Sequence, residues 1–141
     1  MKTVIVYNHP YQGSFCHAIL VAAKAGAEAA GHEVDVIDLD QDHFDPVMSG
    51  QDLLAFRQHK MIDPQARAYV KRLQAADQLV LIFPIWWELM PAMMKGFIDK
   101  VISPGSTYRY IKSGYGMQTI LPQLKQTTVI TTMNTPNSCI V

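Results

Sequence analysis

Residues 78–91 read QLVLIFPIWWELMP. From Gln78 to Phe83 the run is almost continuously apolar, short, and rich in branched side chains. That is the signature of a central parallel strand covered on both faces. Pro84 breaks the run, two adjacent tryptophans follow at once, and Pro91 opens a segment to Val101 with helical spacing. A buried strand that passes through an aromatic loop into a helix is one half of a βαβ unit.

The rest of the chain repeats that grammar. Thr3 to Tyr7 is a β-branched run that stops at Asn8-His9-Pro10 and reads as a buried strand. Gly13-Ser14 opens an alanine-rich helix from Phe15 to Ala30, with Phe15, Ala18, Ile19, Ala22 and Ala23 at helical spacing. Ser14 supplies its N-cap and Gly31 its stop. Glu33 to Leu39 is a second strand. Asp40 to Asp63 is irregular, with turn signals at Asp45-Pro46 and Ser49-Gly50 and a short helix over Asp52 to His59. Pro64 starts a helix that runs to about Ala76. Gly105 to Gly116, with three tyrosines and three glycines, reads as a loop, and Thr127 to Thr132 as a fourth strand. Strands alternating with helices give an α/β chain, with a mostly parallel sheet and helices on both faces. With 141 residues, one domain over 1–141 is expected.

Composition narrows the function classes. Apolar residues make up 49% and charged residues 17%, so the chain can bury a core. Twelve basic residues balance twelve acidic ones, which gives no basic surplus for nucleic acid or an anionic membrane surface. No stretch has the length of a membrane span, and a cytoplasmic location is expected. Cys16 and Cys139 form no metal-ligand pattern and read as reduced thiols. The aspartates at 35, 38, 40, 42 and 45 match no calcium loop and read as a solvated acidic surface, so no metal site is expected.

Parallel α/β sheets bind ligands beyond the carboxyl ends of their strands. Three loops therefore matter. His9 to Phe15 places small residues at a helix N-terminus, where N–H groups and the helix dipole favour an anion. Ser14 and His9 can add donors there; equally, Ser14 can serve only as a cap. The loop is neither a Rossmann nor a P-loop sequence. Pro84 to Met90 offers flat apolar surface from Trp86 and Trp87, suited to a planar ring, although core or interface packing would also use such residues. Thr131, Thr132, Met133 and Asn134 could hydrogen-bond a heteroaromatic edge, or form an ordinary polar loop.

These segments together resemble the NAD(P)H quinone dehydrogenases of the flavodoxin-like superfamily, which include ancillary oxidoreductases of potassium-efflux systems. The resemblance rests on His9-Pro10, Gly13-Ser14-Phe15, Leu73 to Asp77, and above all Phe83-Pro84-Ile85-Trp86-Trp87 with Pro91 to Phe97. It implies a three-layer flavodoxin-like sandwich and a bound FAD or FMN. His9 and Gly13 to Cys16 would face the flavin phosphates. Pro84, Ile85, Trp86 and Trp87 would lie along the isoalloxazine, with Thr131, Thr132, Met133 and Asn134 on its other side. It also implies ping-pong hydride transfer from NAD(P)H as co-substrate to a quinone-type acceptor, and a homodimer with the site at the interface.

The chain departs from the pattern where Met133-Asn134 replaces a Gly-Gly pair. It also departs at its end: the family continues into a loop, a final strand and a helix, and the sequence diverges near Asn137. A chain lacking that last strand and helix is the expectation, and no catalytic residue carries over. Two other functional readings stand beside quinone reduction. One is an azo-, nitro- or FMN reductase of the same superfamily. The other is a regulatory subunit docked on a transporter through Ile85 to Met94.

Overall fold

A computed structural model describes residues 1–111 and 115–134. The elements in chain order are β1 (Lys2–Tyr7), α1 (Phe15–Ala29), β2 (Glu33–Asp38), α2 (Gly50–Arg57), α3 (Pro64–Gln74), β3 (Gln78–Pro84), α4 (Ala92–Val101), β4 (Tyr108–Tyr110), β5 (Met117–Thr119) and β6 (Gln126–Thr132). The strands β2, β1, β3 and β6 form one parallel sheet in that order. β1 therefore has a neighbour on each side, with Lys2 opposite Glu33 and Thr3 opposite Gln78.

The pleat sorts the core into two layers. Val4 and Val6 point to one face, where Ala66, Tyr69, Val70 and Leu73 of α3 and Met94, Phe97 and Val101 of α4 pack with Leu79 and Phe83. Ile5, Tyr7 and Ile82 point to the other, against Cys16 and Leu20 of α1. The run at 78–83 is thus buried from both sides, as its composition implies. The inward face of α1 is rotated from the expected one: Cys16, Ile19, Leu20 and Ala23 turn to the sheet, while Phe15 is exposed. Spacing alone admits either stripe in a segment so rich in alanine.

The stretch Gly105 to Gly116, expected as a loop, contains strand. β4 pairs antiparallel with β5, Tyr108 opposite Thr119 and Tyr110 opposite Met117. The tyrosines are two apart, so both rings lie on one face and meet at right angles, 5.7 Å between centroids. Glycine punctuation masks this period-2 signal. The aspartates are also less solvated than expected. Asp35 receives the Arg72 guanidinium on both oxygens, Asp42 accepts from the Tyr69 hydroxyl, and Asp40 accepts from the Asn8 amide. Cys139 and the divergent end from Asn137 lie outside the described residues. Among the described residues no helix is long and apolar enough to cross a membrane.

Arg72 also donates to the Val36 carbonyl on the outer edge of β2, 2.7 Å away. Its guanidinium holds the Asp35 carboxyl below the usual carboxylate range. A carboxylate with a lowered folded-state pKa contributes stability that is full above its unfolded value and is lost as pH falls through the folded one. The Arg72→Met variant lacks that contribution. Its urea midpoint should therefore lie below that of the parent at about pH 7, with the gap narrowing at about pH 3.

Candidate functional site

The parallel register brings three strand ends side by side, with Tyr7 opposite Ile82 and Pro84 opposite Thr132. The loops that leave β1, β3 and β6 enclose a cavity of about 230 Å³. Its walls are His9, Ser14, Phe15, Cys16, Pro84, Ile85, Trp86, Thr132, Met133 and Asn134. Ten of the thirteen residues singled out from the sequence therefore meet in one place. Gly13, Trp87 and Thr131 lie outside that lining.

One end of the cavity is polar. Ser14 is the N-cap of α1, and its hydroxyl accepts the His17 N–H at 3.0 Å. The first-turn N–H groups of Phe15 and Cys16 have no intrahelical acceptor. The His9 Nδ1 accepts the Tyr11 N–H at 3.1 Å. In the neutral ring this places the proton on Nε2, so His9 presents a donor. Its ring meets Trp86 edge-on, 6.0 Å between centroids at 67°. Tyr11 folds its phenol over Gly13, where a Cβ would collide with it.

Buried groups beneath this end stay neutral. Burial pushes the Tyr7 phenol up to about 12 and raises the Cys16 thiol, against the opposing hydrogen bond with Thr132. Cys16 is thus a packing thiol and no ready nucleophile. Tyr7 Oη, Asn8 Oδ1 and His17 Nδ1 are buried without a hydrogen-bond partner among the described residues. Tyr7 and His17 meet where β1 passes into α1, 5.8 Å between ring centroids, so at this junction buried polar groups outnumber protein partners.

The other end is apolar and geometrically unusual. The Ile85 N–H donates to the Thr132 carbonyl at 2.7 Å and ties the loop to β6. Trp86 and Leu89 then exchange both backbone hydrogen bonds, 2.9 and 3.1 Å. Between them Trp87 and Glu88 adopt φ of 51° and 64°, a two-residue hairpin turn with both central residues left-handed. That turn favours Asn-Gly; Trp-Glu carries no signal for it, so the sequence gives no warning of the geometry. Trp87 is 98% exposed at the tip. Each left-handed non-glycine residue costs about 1–2 kcal/mol. The double change Trp87→Asn and Glu88→Gly is therefore expected to raise stability by about 1–2 kcal/mol, read as a higher midpoint in urea unfolding.

None of the lining side chains carries a carboxylate. An anion can sit against Ser14, His9 and the α1 N-terminus without like-charge repulsion, and a flat ring can extend toward Ile85 and Trp86. The donor set fits a phosphate-bearing planar cofactor.

A family model described as a flavodoxin-like fold matches residues 1–139. The Escherichia coli protein named uncharacterized NAD(P)H oxidoreductase YcaK is 33% identical over 108 residues, 76% of this chain and 55% of that one. A protein of Nitratidesulfovibrio vulgaris named FMN-dependent NADH:quinone oxidoreductase is 32% identical over 143 residues, 88% of this chain and 66% of that one. The solved NAD(P)H:quinone oxidoreductase from Methanothermobacter marburgensis superposes with a TM-score of 0.87 at 26% identity, covering 98% of this chain and 69% of its own. The chain spans about half the length of the first curated relatives it matches.

Proposed function

The chain belongs to the flavodoxin-like fold family, among the NAD(P)H quinone dehydrogenases, and from that membership we propose a flavin-dependent oxidoreductase that uses NAD(P)H to reduce a quinone-type acceptor. The observation that carries this reading is the carboxylate-free cavity at the ends of β1, β3 and β6. It has a capped helix N-terminus at one end and Trp86 at the other. When bound, a flavin supplies the hydride chemistry that links the two substrates.

The residues have distinct tasks. Ser14, the first-turn N–H groups and the His9 Nε2–H would hold the phosphate, with Gly13 making room for the Tyr11 ring beside them. Pro84, Ile85 and Trp86 support one side of the ring and keep water from it, and Thr132, Met133 and Asn134 bond its polar edge. Trp87 and Thr131 stand at the rim. FMN in the name of one relative supports a flavin of the FMN or FAD type. If NAD(P)H and the acceptor use the same small cavity in turn, the order is ping-pong.

Exposed Phe15, at the start of α1, lines the cavity, and exposed Tyr11, Trp87 and Leu89 belong to the loops that contribute His9 and Trp86 to it. This apolar rim supports a homodimer in which a second copy covers the site. The same rim favours a second reading, docking on a transporter as an ancillary subunit.

The purified chain should be yellow, keep its flavin through gel filtration, and oxidise NAD(P)H with a quinone. The Ser14→Ala variant should retain about a tenth or less of the parent's flavin affinity, since it loses a charge-assisted bond worth roughly 1.5–3 kcal/mol. A parent chain that takes up neither FMN nor FAD overturns the proposal. Sedimentation separates the dimer from a monomeric docking module.

A further inference from the structure

We propose that the groove between α1 and the edge strand β2 is a second ligand site, separate from the strand-end cavity, for a small aromatic ammonium compound. The hollow encloses about 560 Å³, against 230 Å³ for the strand-end cavity. That lies within the usual range for small-molecule sites. Its floor is apolar: Leu20, Val21 and Ala25 of α1 face Val36 of β2. Val21 is more than half exposed there, so a flat apolar body would gain by covering it.

The rim selects charge. Glu28, Asp38 and Asp42 line it against a single ammonium, Lys24, and Lys24 already stands 3.9 Å from Glu28. Asp42 is engaged by the Tyr69 hydroxyl. Asp38 is placed differently. Its Oδ1 accepts the N–H groups of Asp40 and Gln41 at 3.2 and 3.1 Å, which fixes the carboxylate in the turn after β2. Its Oδ2 has no protein donor among the described residues. A fixed, half-buried carboxylate at the end of an apolar trough is suited to a charge-assisted bond from an ammonium. The same carboxylates repel phosphates, so the groove and the strand-end cavity select opposite charges.

The two sites share the first turn of α1. Ser14, Phe15 and Cys16 line the strand-end cavity, whereas His17 lines the groove. His17 is bound to Ser14 through its N–H and meets the Tyr7 ring edge-on at 5.8 Å. A ligand in the groove thus lies one residue from the other cavity's wall.

The test uses the full chain without flavin. Tryptamine is titrated while backbone amide shifts are followed by NMR, with neutral tryptophol as the control of equal shape. Shifts should concentrate at Val21, Ala25, Val36 and Gln41, and tryptophol should bind about tenfold more weakly, the loss of one charge-assisted bond. The Asp38→Asn variant keeps an Oδ1 acceptor for both N–H groups, so its turn is retained, and it should lose a similar factor for tryptamine alone. The Ala25→Phe variant, at an exposed helix position, should fill the trough and abolish binding. Absence of shifts in the parent overturns the proposal, as do shifts confined to His9 and Trp86, equal binding of tryptophol, or an unchanged Asp38→Asn affinity. A chain that binds tryptamine here yet never takes up flavin would sink the oxidoreductase reading and leave this one standing.

Discussion

Changing Gly96 to alanine is expected to lower the stability of the fold by about 2–3 kcal/mol. The sign is not what helix propensity alone gives. An alanine inside a helix gains roughly 1 kcal/mol over glycine. At position 96, however, the added Cβ would overlap the Cα, Cβ and carbonyl oxygen of Pro46. These are backbone and ring atoms that no rotamer change can move aside, so the clash outweighs the propensity gain. Helix α4 must then withdraw from the 44–46 segment. Because α4 begins just after the Pro84 to Pro91 loop, the shift reaches Trp86 and Ile85. Urea unfolding should show a lowered midpoint, and flavin affinity should fall with it. Gly26 is the control: a Cβ there meets nothing, so Gly26→Ala should raise stability by up to about 1 kcal/mol.

The Lys100→Ala variant is expected to lose about 3 kcal/mol, the lower end of the cost of breaking a buried ion pair. The Lys100 side chain is 5% exposed, with Nζ 3.1 Å from Asp63 Oδ2 and 3.8 Å from Asp45 Oδ2. It also lies 5.8 Å above the Phe44 ring. One cation thus ties α4 to the N-cap of α3 and to the loop that carries Pro46. Asp63 is more open, at 18%, and keeps its two N-cap bonds from Gln65 and Ala66, which limits the penalty. The Asp63→Asn change in the Lys100→Met background should recover part of the loss, because the only charge then left without its partner is Asp45, which is exposed. By contrast Lys95→Ala, which removes an exposed pair with Asp99 on the same helix, should change stability by less than about 0.5 kcal/mol. Thermal melts of the four variants check the set.

The sequence announces the sheet because its strands are buried on both faces. Val4 to Tyr7 and Leu79 to Phe83 have no polar alternation to confuse with a surface strand, and Ser14, Pro64 and Gly31 punctuate the helices by local chemistry. The hairpin at 108–119 is hidden because its signal is spread over three-residue strands flanked by glycine. The fit of α4 against Pro46 is hidden for another reason. A glycine inside a helix does not tell a close approach, as at Gly96, from open space, as at Gly26, and the partner of Gly96 lies fifty positions away. At the site, the strand-end rule gathers the loops correctly, and the aromatic pair marks the second of them. The left-handed turn that sends Trp86 and Trp87 in different directions is set by the backbone exchange between Trp86 and Leu89, which no residue type there advertises. The second groove escapes for the same kind of reason: it is a space between α1 and β2, and neither element shows it alone.

The position of β1 has a consequence for how the chain comes together. Of these strands β1 is made first, yet it sits inside the sheet, with Glu33 beside Lys2 and Gln78 beside Thr3. No pairing in this sheet is local: even the shortest-range one sets Lys2 opposite Glu33, and β3 meets β6 from Gln78 opposite Gln126 to Pro84 opposite Thr132. Loop-closure entropy must be met before any of these contacts returns free energy, which places such topologies in the slower, millisecond-to-second range of folding. Until β3 has been synthesised, the apolar run Val4 to Tyr7 can be covered on one side only. During synthesis, therefore, the segment that ends as the best protected in the molecule is the one that waits longest for shelter, and it is there that a chaperone would first find something to hold.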